Sequence, residues 1–131
     1  MSQPNNELPK VFFIFQDLNL CKVLQYHLER KGFSVTCEPL SSQAHGWMKV
    51  KSSDVVMVDI TTSNHQCVEM LSVLNKNAKA ERPSIMLLGP ANQEDVDAAY
   101  RLGIDEWLTT PFSMDRLVVR LRQLTSQTQK A

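Results

Sequence analysis

Asp59 is the first residue in this chain whose position suggests chemistry. It follows an unbroken apolar run, VVMV at 55–58, with Ser52-Ser53-Asp54 before it and a polar TTSN stretch at 61–64 after it. A run that does not alternate suits a strand buried on both faces of a parallel sheet. In such sheets ligands and reacting groups gather at the carboxyl ends of the strands, where Asp59 stands. A carboxylate there is either a structural group hydrogen-bonded by the loop amides of residues 61–64 or a functional one. Asp17 is a second acid in a similar place, just after the run KVFFIF at 10–15. As a helix-start acid it suits the positive end of the dipole. Other chemistry finds little support. His27, His45 and His65 match no metal-ligand spacing. Cys21, Cys37 and Cys67 are odd in number, widely spaced and without a CxxC pair, so each reads as a buried small hydrophobe. The glycines at 32, 46, 89 and 103 form no phosphate-cradling loop, and no Ser/His/Asp or Cys/His set assembles. An enzyme or nucleotide binder is the least supported class.

The elements that must hold these side chains follow from periodicity. Residues 1–9 form a polar lead-in, and 10–15 a buried strand followed by the polar pair Gln16-Asp17. Leu20, Val23, Leu24, His27 and Leu28 recur at helical spacing up to Lys31-Gly32, a stop signal. FSVTC at 33–37 alternates, as an outer strand with one wetter face does. A helix is expected near 41–49, capped by Ser41 or Ser42, and another after Ser63 or Asn64 that presents Val68, Leu71 and Leu74. SIMLL at 84–88 is a buried strand behind Pro83, and a helix starting near Asn92 or Gln93 ends at Leu102-Gly103. EWLT at 106–109 is a short last strand. Ser113 caps a helix with Met114, Leu117, Val118, Leu121 and Leu124 inward, and residues 125–131 are a polar tail. Five strands alternating with five helices predict one α/β domain, a parallel sheet with helices on both faces.

Composition excludes several functions. The chain has 131 residues, with Lys plus Arg and Asp plus Glu equal at 14 each. No net field draws it to nucleic acid or an anionic membrane. No apolar run has the length of a membrane span, and MSQPNNELPK lacks a signal-peptide core, so a cytoplasmic location is expected.

Particular motifs narrow the class to a family. DVVMVD at 54–59, PSIMLL at 83–88, AAYRLG at 98–103, DEWL at 105–108 and TPF at 110–112 come in order and at fixed intervals. In these, residues 10–124 resemble the receiver domain of two-component response regulators, a flavodoxin-like, doubly wound five-stranded (βα)5 fold. The resemblance implies that Asp59 is the phosphoacceptor position. It puts Phe15 and Gln16 where the family carries two magnesium-binding acids, with Asp17 one residue too late. Leu88 stands at the switch Thr or Ser, Thr110 at the lysine before proline, and Ser63 at a usual proline. Thr61 lines the same pocket, Trp107 keeps the switch aromatic's type, and a cis Thr110–Pro111 bond is expected.

These departures carry a physical consequence. Phosphoryl transfer to a carboxylate needs fixed cations to meet the spread negative charge, mainly a metal ion and a lysine. Magnesium prefers several hard oxygen ligands, and only Asp17 and Asp59 are weak candidates. Thr110 brings no charge and Leu88 no hydroxyl. A degenerate receiver is therefore expected: a non-enzymatic, phosphorylation-independent protein–protein interaction module without cofactor. Its partner is expected to be a histidine kinase or a signalling scaffold. Tyr100 and Trp107 lie on the partner surface, and the family's habit of pairing through the last strand region implies a homodimer mode. The alternative is a working receiver phosphorylated on Asp59 by a histidine kinase, with Mg2+ bound only then.

Overall fold

The computed structural model of the chain describes residues 8–39, 52–60, 83–90 and 93–129. Within them the elements run β1 (Lys10–Phe15), α1 (Leu18–Arg30), β2 (Ser34–Pro39), β3 (Val55–Asp59), β4 (Ser84–Gly89), α2 (Gln93–Arg101), β5 (Glu106–Thr109) and α3 (Met114–Gln129). The strands make one parallel sheet in the order β2-β1-β3-β4-β5. This is the flavodoxin-like architecture expected. The helices expected near 41–49 and after residue 63 lie outside the described residues, as do Thr61, Ser63, His45, His65 and Cys67.

Continuous apolar strands fill both faces of the sheet, because successive side chains point opposite ways. Val11, Phe13, Val55, Met57, Met86, Leu88 and Leu108 face α1 and α3, which contribute Leu24, Leu28, Leu117 and Leu121. Phe12, Ile14, Val56, Val58, Ile85, Leu87 and Trp107 face the other way, with Ala99 and Ile104 beside them and Val96 of α2 packed on. β2 lies at the sheet edge and is only partly buried, matching its alternating sequence.

Local signals set the helix ends. The Asp17 side chain caps α1, its Oδ1 accepting from the N–H groups of Asn19 at 2.9 Å and Leu20 at 3.4 Å. At the other end Gly32 takes φ +99°, the Gly32 N–H donates to Glu29 O and the Phe33 N–H to Leu28 O. The same closure recurs after α2, with Gly103 at φ +102° and the Ile104 N–H donating to Ala99 O. This pattern satisfies the last helical carbonyls and needs a left-handed residue. Ser113 caps α3 through its hydroxyl, which accepts from the Arg116 N–H at 3.1 Å.

Two expectations are corrected. The buried stripe of α1 is Cys21, Leu24 and Leu28, while Val23 is 49% exposed. Helix α3 continues to Gln129, through residues that read as tail. Thr125 is buried and its hydroxyl donates to Leu121 O at 2.9 Å, so a polar side chain satisfied within the helix does not end it.

Candidate functional site

The order of the sheet reverses between β1 and β3, since the chain leaves β1 toward β2 on one side and enters β3 on the other. Ligands of open parallel sheets bind at the carboxyl ends of the strands flanking that reversal. There the structure brings together Phe15, Gln16, Asp17 and Asp59, four of the residues selected from sequence.

Asp59 is the last residue of β3 and fully buried. Its Oδ2 accepts two hydrogen bonds from the β1–α1 connection, from the Gln16 N–H at 2.9 Å and the Asp17 N–H at 3.0 Å. The Gln16 side chain completes the junction, its Nε2 donating to the Asp59 carbonyl at 2.8 Å. Sequence reasoning assigned the amide donors to residues 61–64, which lie outside the described residues. The donors seen come from the neighbouring strand's loop, one of whose residues, Asp17, also caps α1. Two aligned N–H dipoles supply a buried carboxylate with positive potential and no ion.

The other positions surround this junction. Leu88 pairs in register with Asp59 across β3 and β4, is fully buried, and accepts the Ile60 N–H at its carbonyl at 2.9 Å. Thr110 is partly buried, its N–H donates to Gly89 O at 3.1 Å, and the Thr110–Pro111 bond is cis, as expected. Phe15 is partly buried, packs on the core facing α1 and α3, and tilts against Phe13 with 6.4 Å between ring centroids. It belongs to the core edge.

The proposed partner surface divides. Trp107 is 8% exposed, and its indole N–H donates to Gly89 O at 3.1 Å. Its backbone N–H donates to the Tyr100 hydroxyl at 3.2 Å, while Tyr100 itself is 45% exposed. Trp107 is thus corrected from contact residue to support. An aromatic on a last strand with one face on the core turns inward where a carbonyl can take its N–H. Tyr100 remains on the surface.

Sequence reasoning missed two other acids that tie strands together. Asp54 accepts the Lys10 N–H at Oδ2 at 2.8 Å, and Asp105 accepts the Ile85 N–H at Oδ2 at 2.9 Å. The recurrence of Asp beside strand starts, at 54 before β3 and 105 before β5, was the available signal. At the start of β5, Glu106 forms an ion pair with Arg120 of α3 at 2.6 Å. Among the described residues no helix is long and apolar enough to cross a membrane.

Known proteins agree with this geometry. A response regulator receiver domain from Methanospirillum hungatei, described as CheY-like, superposes with a TM-score of 0.77 at 16% identity, over 94% of this chain and 98% of that one. A Francisella response regulator receiver domain gives 0.77 at 22% identity, over 92% and 98%. An orphan response regulator of H. pylori gives 0.72 at 21% identity, over 89% and 96%. The family description of the response regulator receiver domain matches residues 12–122, and with the parallel sheet and its strand-end aspartate it places this chain in that family.

Proposed function

We propose that this receiver domain works as a phosphorylation-independent protein–protein interaction module in two-component signalling. The observation that carries the reading is the engagement of Asp59. The carboxylate oxygen Oδ2 already accepts from two backbone amides, so the β1–α1 loop meets it with N–H groups where the family offers acidic side chains.

The donors around Asp59 suit a magnesium ion poorly. Asp17 Oδ1 is engaged at the helix cap, Gln16 turns its amide nitrogen to a carbonyl, and Phe15 has no ligand atom. A hard divalent cation approaching Asp59 Oδ2 would compete with the two N–H donors that already hold that oxygen. A phosphoryl group on Asp59 would bring a charge of about −1.5 to −2 by analogy with other phosphorylated side chains. At the switch positions it would meet the Leu88 alkyl group and the uncharged Thr110.

On this reading the junction fixes the chain's conformation by hydrogen bonds alone, and the module acts where its solvent-facing helices meet a protein such as a histidine kinase or a scaffold. Tyr100 is the aromatic available on the outer side of α2. Cytoplasmic placement belongs to the same proposal, and catalysis and a resident cofactor do not.

Magnesium and beryllofluoride together test the reading through the backbone amide resonances of Gln16 and Asp17. The expected result is that both stay unshifted at millimolar concentrations. Saturable shifts of these two amides, lost in Asp59→Asn, would support the alternative of a receiver phosphorylated on Asp59.

A further inference from the structure

Helices α1 and α2 lie on opposite faces of the sheet, α1 over the layer of Val11, Phe13 and Met57 and α2 over that of Phe12, Val58 and Trp107. Their outward sides therefore cannot meet within one molecule. The outward side of α1 is apolar and basic: Tyr26 is 57% exposed, Val23 is exposed beside it, and Arg30 and Lys31 stand at the helix end. Tyr26 gathers the group, with the Arg30 guanidinium 5.3 Å from its ring centroid and the His27 ring edge-on at 5.2 Å. Glu29, the acid of this helix, turns toward β2 with Gln25, whose Nε2 donates to Glu29 Oε2 and to Val35 O, each at 3.4 Å. The outward side of α2 carries the opposite sign. Glu94 and Asp97 are exposed there, followed by Tyr100 and Arg101 in the last turn. Gln93 Nε2 donates to Asp97 Oδ1 at 2.8 Å and so positions that carboxylate.

We propose that the α2 face of one copy of this chain docks antiparallel on the α1 face of a second copy. Spacing and charge both fit. Tyr26 and Arg30 are about one turn apart on α1, as are Asp97 and Arg101 on α2, a rise of about 6 Å in each. Running antiparallel, the helices set Asp97 opposite Arg30, Arg101 opposite the Tyr26 ring, and Glu94 toward Lys31. Opposite charges and an arginine on an aromatic ring attract. A parallel arrangement would instead set Arg101 against Arg30.

Because the two docking faces differ, the contact is heterologous, and a docked pair still offers one face of each kind. Assembly therefore runs past the dimer. Helices of 13 and 9 residues are small against the roughly 1,000 Å² of a stable interface, so the association is weak and reversible. It is separate from pairing through β5, where the Trp107 N–H is covered by the Tyr100 hydroxyl and Glu106 is paired with Arg120. It holds whether or not Asp59 accepts a phosphoryl group.

The experiment is sedimentation velocity of the full chain from micromolar to millimolar concentration. At low salt the wild type should grow beyond a dimer as concentration rises, and it should return to monomer at about 1 M salt, where charges are screened within about 3 Å. Arg30→Glu and Asp97→Arg, both at exposed positions, should each weaken association at least tenfold, and the two together in one chain should restore it, with circular dichroism reporting the fold of each. A chain with Tyr26→Ala and Arg30→Ala keeps its α2 face, and one with Asp97→Ala and Arg101→Ala keeps its α1 face. Neither should associate alone, and their mixture should give a one-to-one dimer that grows no further. A wild type monomeric at every concentration would leave the α1 face to a different, acidic protein and overturn the proposal. So would a wild type that stops at the dimer, an Arg30→Glu chain that associates fully, a double reversal no better than the single ones, or a mixture that does not pair.

Discussion

Removing the Asp59 carboxylate leaves the Gln16 and Asp17 N–H groups facing a buried site without that acceptor. A donor stranded in this way costs about 1–3 kcal/mol. Asp59→Ala should therefore lower the unfolding free energy by about 2 kcal/mol in urea denaturation. Asp59→Asn, which keeps an acceptor oxygen, should lose clearly less; equal stability of Ala and wild type would remove the structural role. Cys37 makes a second prediction. Burial pushes its thiol up to about 12 from the ordinary 9.0, so the folded state holds the proton more tightly. The stability this gives is complete below about pH 9 and is lost as pH rises toward about 12, and Cys37→Ser should flatten that part of the stability–pH curve. The types of the site residues were legible in the sequence, as was Asp17's place at a helix start. Which amides serve Asp59 was not, because donors from a neighbouring loop depend on how two strand ends align, and no periodicity encodes that. The burial of Trp107 was hidden for a similar reason: residue type announced an aromatic, and only the Gly89 carbonyl decided its direction.

Helix ends carry the clearest agreement between sequence and structure. Lys31-Gly32 and Leu102-Gly103 both marked stops, and both glycines hold the left-handed closure. A Cβ built on Gly32 meets nothing within 4 Å, so Gly32→Ala isolates backbone strain. It should destabilise the domain by about 1–2 kcal/mol, measured by chemical denaturation. Gly89 is constrained for another reason. A Cβ there would stand 2.6 Å from Ile60 Cγ1 and 3.1 Å from the Ile60 carbonyl oxygen, so β4 can approach the end of β3 only with glycine at this place. The extension of α3 past Leu124 was illegible because Thr125 reads as polar punctuation, whereas in place its hydroxyl bonds back to Leu121. Strand boundaries were easier: the apolar run at 10–15 and the short strand expected at 106–109 coincide with β1 and β5.

On the scale of the molecule, alternation of strand and helix was enough to specify the parallel sheet, and the unbroken apolar runs to specify burial on both faces. The motifs from 54 to 112 specified the family. What they could not specify was how the surface divides between support and contact. Trp107 and Tyr100 now make separable predictions. Trp107→Ala should cost about 3–5 kcal/mol of stability, since it empties a packed position beside Ile85 and Leu87 and removes a buried hydrogen bond. Tyr100→Ala exposes little core and should instead weaken capture of a protein partner. Pull-downs paired with melting curves distinguish the two; a Tyr100→Ala chain that binds fully would move the partner surface elsewhere. The proposed function rests on one premise, that Asp59 is held by amides and lacks the surroundings that phosphoryl transfer requires. The most direct measurement is the intact mass of the folded chain after incubation with an acyl phosphate donor and magnesium. An unchanged mass is expected, and a stoichiometric phosphoryl adduct that disappears in Asp59→Asn would overturn the proposed function.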